Sequence, residues 1–175
     1  MSTLDMTHIA LFAILIGICS WITIPGAVPF TLQTFGVFLA VSVLGGKRGT
    51  AAVLLYIFIG LIGIPVFSGF RGGIGVLLGN TGGYILGFIF SALLMWLFEI
   101  IWKRRFLFLS MILSLLVCYT FGTLWFLLIY TGDNGVIGIT TILSWCVLPF
   151  IIPDFLKIFL AFLLGKQLRK ILSRM

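Results

Sequence analysis

Apolar residues run along the chain in long blocks, bounded by glycine, proline and short clusters of charge, without the period-2 alternation of a membrane barrel. The blocks predict spans at about 8–24, 33–46, 50–64, 81–102, 106–131 and 140–165. Runs of this kind suit a hydrocarbon core about 30 Å thick, which a helix of about 20 residues crosses. Backbone N–H and C=O groups find no water there, so the spans are expected to be helices. The expected fold is an all-α membrane protein, a bundle of about six transmembrane helices, with residues 1–175 forming one transmembrane domain.

Composition rules out a soluble domain: 62% of residues are hydrophobic, 9% are charged and mean hydropathy is +1.32, whereas soluble domains are about 25% charged. The first apolar block does not read as a cleaved secretory signal. Asp5 rather than a basic cluster precedes it, no A-x-A-like site follows, and further spans come at once. It is expected to be a retained helix. The second and third blocks are short and flanked by Pro25, Pro29, Pro65 and glycines, as befits broken segments lining a cavity.

The net charge of +7 is not laid out as a basic, aromatic-interleaved stripe, which argues against nucleic acid as a partner. Lys47 and Arg48 fall in the second connection, Lys103, Arg104 and Arg105 in the fourth, and Lys166, Arg169, Lys170 and Arg174 in the tail. The first connection has no basic residue, the third only Arg71, and the fifth carries Asp133 alone. Since cytoplasmic loops carry the basic excess, the expected topology is multi-pass in the cell membrane with both termini cytoplasmic.

Little chemistry is available for catalysis. Cys19, Cys118 and Cys146 show no metal or redox spacing and read as small apolar fillers. His8 is the single histidine, so a His-based metal cluster or triad lacks a second imidazole. No enzyme, no metal and no cofactor is expected.

Asp154 stands apart from the other acids, embedded in Pro149-Phe150-Ile151-Ile152-Pro153-Asp154-Phe155-Leu156-Lys157. An ionisable group inside the membrane costs about 2.5–3.5 kcal/mol on insertion scales and marks a functional site. Lys157 follows at i+3, on the same helix face; the bland reading is a pair that only neutralises itself. Pro153 places the pair where the last helix is expected to be irregular, in the outer half by the charge count. Residues 65–84 carry seven glycines, Arg71 as their one charge, and Asn80 and Tyr84 near their end. No phosphate-loop pattern is present, so this segment reads as bare backbone, Gly73 included, approaching a ligand closely. The first connection adds Thr31 and Gln33 on the same side. A carboxylate, an ammonium and an amide among apolar walls make a small-molecule binding site. In the first helix Ala13 and Gly17 have small-xxx-small spacing, equally suited to packing within the bundle and to docking on a partner.

The segments Val28-Pro29-Phe30-Thr31-Leu32-Gln33-Thr34-Phe35-Gly36-Val37, Gly45-Gly46-Lys47-Arg48-Gly49, Gly60-Leu61-Ile62-Gly63-Ile64-Pro65-Val66-Phe67, Gly72 through Tyr84, and Pro153-Asp154-Phe155-Leu156-Lys157 resemble the BioY family. These are the biotin-specific substrate-binding (S) components of energy-coupling-factor (ECF) transporters. The resemblance implies a six-helix bundle that captures biotin at its outer face, with a separate transmembrane coupling subunit and ATPase subunits as partners besides membrane lipid. By motif position it puts head-group contacts on Asn80, Asp154 and Lys157. Biotin's apolar ring and chain would suit Phe30, Leu32, Phe67 and Tyr84 as walls, and its carboxylate Arg71, Gly73 and Gln33. The family's Ala-x-x-x-Ala docking pattern on the first helix is absent, since Ile14 follows Ala10 at i+4. An S component for a different vitamin is the main rival reading. A stand-alone secondary carrier would need inverted repeats or a chain of ionisable groups, and neither is seen.

Overall fold

A computed structural model describes residues 2–26, 28–134 and 138–172, with the side chains of Asp133, Asn134 and Leu172 outside the description. The helices are α1 (Thr3–Trp21), α2 (Gln33–Leu44), α3 (Gly46–Leu61), α4 (Ile74–Leu78), α5 (Gly82–Trp102), α6 (Leu107–Asn134), α7 (Ile139–Cys146) and α8 (Ile151–Leu172). A two-stranded hairpin pairs β1 (Thr23–Ile24) antiparallel with β2 (Phe30–Thr31). Thr3–Trp21, Gly82–Trp102, Leu107–Gly132 and Ile139–Ile171 are long and apolar enough to cross a membrane, and α2 is a shorter apolar helix. The chain is therefore mostly helical with several apolar helices compatible with a membrane.

The first helix begins five residues before the expected span, at Thr3 rather than His8, and ends at Trp21 rather than residue 24. Its start is a capping box: Asp5 N–H donates to Ser2 Oγ at 3.2 Å and Ser2 N–H to Asp5 Oδ2 at 3.1 Å. Beyond Trp21 the chain turns into β1, where Pro25 and Pro29 flank a turn that no helix continues through. Ala13 and Gly17 are both buried, and Gly17 lies against Val66, so this small-residue pair packs within the bundle. Ala10, Leu11, Ile14 and Ile18 form the exposed side of α1.

Helix α2 is buried on nearly every side, as a predominantly apolar helix at a bundle centre must be. Gly45 ends it at φ +90°, a left-handed backbone that a side chain would strain, and α3 starts at the next residue. Helix α5 packs along α6 and α2 along α8. Gly165 of α8 lies against Ser42 near the end of α2, while Lys157 reaches Thr31 just before its start. The two helices therefore run parallel, with about 12 Å along α8 between those levels at 1.5 Å rise per residue.

Residues 65–84 are not one open loop. Phe67 bridges Arg71, Ile74–Leu78 coil into α4, and Tyr84 already belongs to α5. The segment is tied down at several points: Ser20 Oγ donates to Val66 O (2.5 Å), Trp21 Nε1 to Pro65 O (2.8 Å), and Gly73 N–H to Gly60 O (2.7 Å). The last expected span is broken: α7 ends at Cys146, a 3₁₀ turn follows at Leu148–Phe150, and α8 begins at Ile151. Pro149 and Pro153 explain the break, since each lacks the N–H that a continuous helix uses. Asp133 lies in the last turn of α6 rather than in a connection; Arg174, one of the counted basic residues, falls outside the described residues.

Candidate ligand-binding site

Along α8 the buried residues are Asp154, Lys157, Ile158, Ala161 and Gly165, a stripe at helical spacing that faces the bundle. The stripe carries both ionisable residues inward, where they are only 3% and 5% exposed. Lys157 Nζ donates to Asp154 Oδ1 at 2.7 Å and to Thr31 O, also at 2.7 Å, and lies 3.8 Å from the centre of the Phe30 ring. The ammonium is thus held by a carboxylate, a carbonyl and an aromatic face. Tyr119 Oη donates to Asp154 Oδ2 at 2.7 Å, so each carboxylate oxygen already accepts one hydrogen bond and keeps a lone pair.

These groups form one wall of a cavity of about 70 Å³ between the hairpin, α5, α6 and the α7–α8 break. Val28, Pro29, Thr31 and Gln33 come from the first connection, Ser68 and Arg71 from the segment before α4, and Thr81, Tyr84 and Phe88 from α5. Leu115, Cys118 and Tyr119 enter from α6, and Cys146 and Phe150 from the break. Two of the cysteines are therefore cavity wall rather than remote filler.

The remaining polar groups are oriented from behind. Gln33 Nε2 donates to the fully buried Tyr56 Oη at 2.9 Å, and Gln33 N–H donates to Thr31 Oγ1 at 3.2 Å. Tyr84 Oη pairs with Thr123 Oγ1 at 2.9 Å across α5 and α6. Arg71 stays exposed at the outer edge, its Nε donating to Ser68 O at 3.1 Å.

Of the residues expected from the sequence, Thr31, Gln33, Arg71, Tyr84, Asp154 and Lys157 come together around this cavity. Asn80 does not line it: it is half-buried in the α4–α5 turn, next to Thr81, which does. Gly73 caps the start of α4 at φ +92° in open space, also off the wall. Phe67 is buried against Tyr56 and Gly60, away from the cavity, and serves the core. Tyr119 was missed, because one tyrosine inside a continuously apolar helix gives no periodic signal of its direction. Among the described residues no group of three or more His, Cys, Asp or Glu is placed to hold a metal ion.

The chain has relatives that it matches over nearly their whole length. A biotin transporter BioY of Thermotoga maritima is 40% identical over 167 residues, covering 92% of this chain and 93% of its own. A probable biotin transporter BioY of Pyrococcus horikoshii is 37% identical over 172 residues, with 97% and 98% covered. The crystal structure of the S-component for biotin from an ECF-type ABC transporter matches with a TM-score of 0.85 at 27% identity, covering 97% of this chain and 95% of that one. The family model for BioY matches residues 1–174, and the chain belongs to the BioY family.

Proposed function

We propose that the chain captures biotin as the S component of an ECF-type transporter, delivering it for uptake rather than transforming it. The buried Asp154–Lys157 pair on the cavity wall carries this reading, because a purely structural pair would not need Tyr119, Thr31 and Phe30 arranged around it beside a cavity. Biotin's ureido ring has two N–H donors and a carbonyl acceptor. The free lone pairs of Asp154 accept the former, and the Lys157 ammonium donates to the latter. Phe88, Leu115 and Tyr84 offer apolar wall to the thiophane ring and chain, and Arg71, at the exposed edge with Gln33 deeper in, suits the valerate carboxylate. Asn80, in the turn beside Thr81, is assigned to the head group only through its motif position. Gly73, at the start of α4, is assigned to the carboxylate end from the ligand's chemistry alone.

A cavity of about 70 Å³ is below the roughly 300–1,000 Å³ of small-molecule pockets, so biotin binding opens the wall. We take residues 1–175 as one domain with six membrane-crossing segments, α2 and α3 being short ones and α7–α8 a broken one. The basic end is placed in the cytoplasm, with both termini, and the cavity toward the outside. A coupling subunit and ATPase subunits would drive uptake.

Isothermal titration of the detergent-solubilised protein with biotin, with desthiobiotin, thiamine and riboflavin alongside, tests the substrate. Near-stoichiometric biotin binding supports the reading; silence toward biotin with binding of another vitamin keeps the family and overturns the substrate. Orientation is tested separately, with Ser2→Cys in a background where Cys19, Cys118 and Cys146 are alanine. An impermeant maleimide should label it only in opened membranes, and labelling in intact cells reverses the topology.

A further inference from the structure

At the end of the bundle away from the cavity, a recess of about 600 Å³ opens between the start of α6 and the end of α8. One side of it is cationic, formed by Arg104, Arg105, Lys166, Arg169 and Lys170; the other is apolar, formed by Phe106, Leu107, Phe108, Leu109 and Phe162. The two sides are interleaved: Lys166 Nζ lies 4.4 Å from the centre of the Phe162 ring and Arg105 sits 5.6 Å over Phe106. Phe106 and Leu109 are about half exposed, so the apolar side opens outward from the bundle.

Among the described residues no carboxylate ion pair neutralises Arg105 or Lys166. Asp5 pairs with Arg48, Glu99 with Arg104, and Asp154 with Lys157, while Asp133 lies at the far end of α6. Arg104 is spent on Glu99 and on Ser42 O, at 2.8 Å from Nη1, and serves as a fixed corner rather than a free donor. Arg105 and Lys166, beside an aromatic and aliphatic floor at the rim of an apolar bundle, match a ligand with a phosphate head and hydrocarbon tails.

We propose that this recess binds an anionic phospholipid, its phosphate held by Arg105 and Lys166 with Arg169 and Lys170 at the rim, and its acyl chains on Phe106, Leu109 and Phe162. A free phosphate would satisfy the cations but leave the apolar wall bare, which is why the lipid is the occupant chosen. Basic pockets between membrane helices at the headgroup level have this recognition chemistry. Binding here is independent of the vitamin cavity, since the two lie at opposite ends of α8.

The test is native mass spectrometry and thermal unfolding of the full-length protein in detergent, with added phosphatidylglycerol, phosphatidylcholine or inorganic phosphate. Wild type should retain phosphatidylglycerol at least fivefold over phosphatidylcholine and unfold several degrees higher with it. The double variant Arg105→Gln, Lys166→Gln should lose that preference while its lipid-free unfolding midpoint stays unchanged, which separates a lost site from a lost fold. Equal retention of both lipids, undiminished preference in the double variant, or equal protection by inorganic phosphate would each overturn the proposal. None of these readouts involves biotin, so the result is independent of the substrate reading.

Discussion

Tyr119 on α6 donates its hydroxyl hydrogen to Asp154 Oδ2 on α8 at 2.7 Å, from the same cavity wall on which Lys157 holds Oδ1. One carboxylate is clamped from two helices, which fixes the plane of its remaining lone pairs. Tyr119→Phe removes one clamp while keeping the ring. A hydrogen bond to a charged group contributes about 1.5–3 kcal/mol, so biotin affinity should fall about 10- to 100-fold. Calorimetric titration checks this, and unchanged affinity would mean that the clamp does not shape the site.

The ion pair makes a prediction with opposite signs for single and double variants. Lys157→Met leaves Asp154 buried without its cation and should destabilise the bundle by about 3–5 kcal/mol, whereas Asp154→Leu with Lys157→Met should recover much of that loss. The double variant should nonetheless bind no biotin. Thermal unfolding in detergent measures the first part and titration the second. Full binding by the double variant would reduce the pair to a structural role.

Gly60 admits the Phe67 ring where a Cβ would overlap it, and Phe67 in turn meets Tyr56 edge-on at 5.6 Å. Tyr56 accepts from Gln33, so this packing chain ends at the cavity wall. Gly60→Ala should cost about 1–3 kcal/mol through overpacking. Its unfolding midpoint should drop, and biotin affinity should weaken with it as Gln33 loses its support. A midpoint equal to wild type would show that the ring has room to move.

Much of this arrangement was legible in the residues and some was not, for physical reasons. Asp154 and Lys157 announce themselves because charge is costly among apolar residues and i+3 spacing fixes their common face. The basic clusters were readable too: Lys47, Arg48, Arg104, Arg105, Lys166, Arg169 and Lys170 do line adjacent recesses at one end of the bundle. Tyr119 and Cys118 were not readable as wall, since along the predominantly apolar α6 only tertiary packing decides which side faces the cavity, and Cys146 reaches it only because the last span breaks after α7. The early start of α1 was written in Ser2 and Asp5, a capping signal that an apolar-block reading passes over. The short helix α4 was hidden by its flanking glycines, because its apolar stretch is too brief to show a period.

Biotin capture as proposed requires the Asp154 carboxylate to meet the ligand directly. Asp154→Asn tests it most directly, since the amide keeps the shape and the Tyr119 contact while losing the charge that Lys157 and a ureido N–H both engage. Biotin should be titrated into wild type and variant in parallel, with thermal unfolding of each as a check on the fold. The variant should unfold in one cooperative transition and bind biotin at least about 10-fold more weakly, the equivalent of one charged hydrogen bond. An Asp154→Asn protein that binds biotin as tightly as wild type would contradict that requirement.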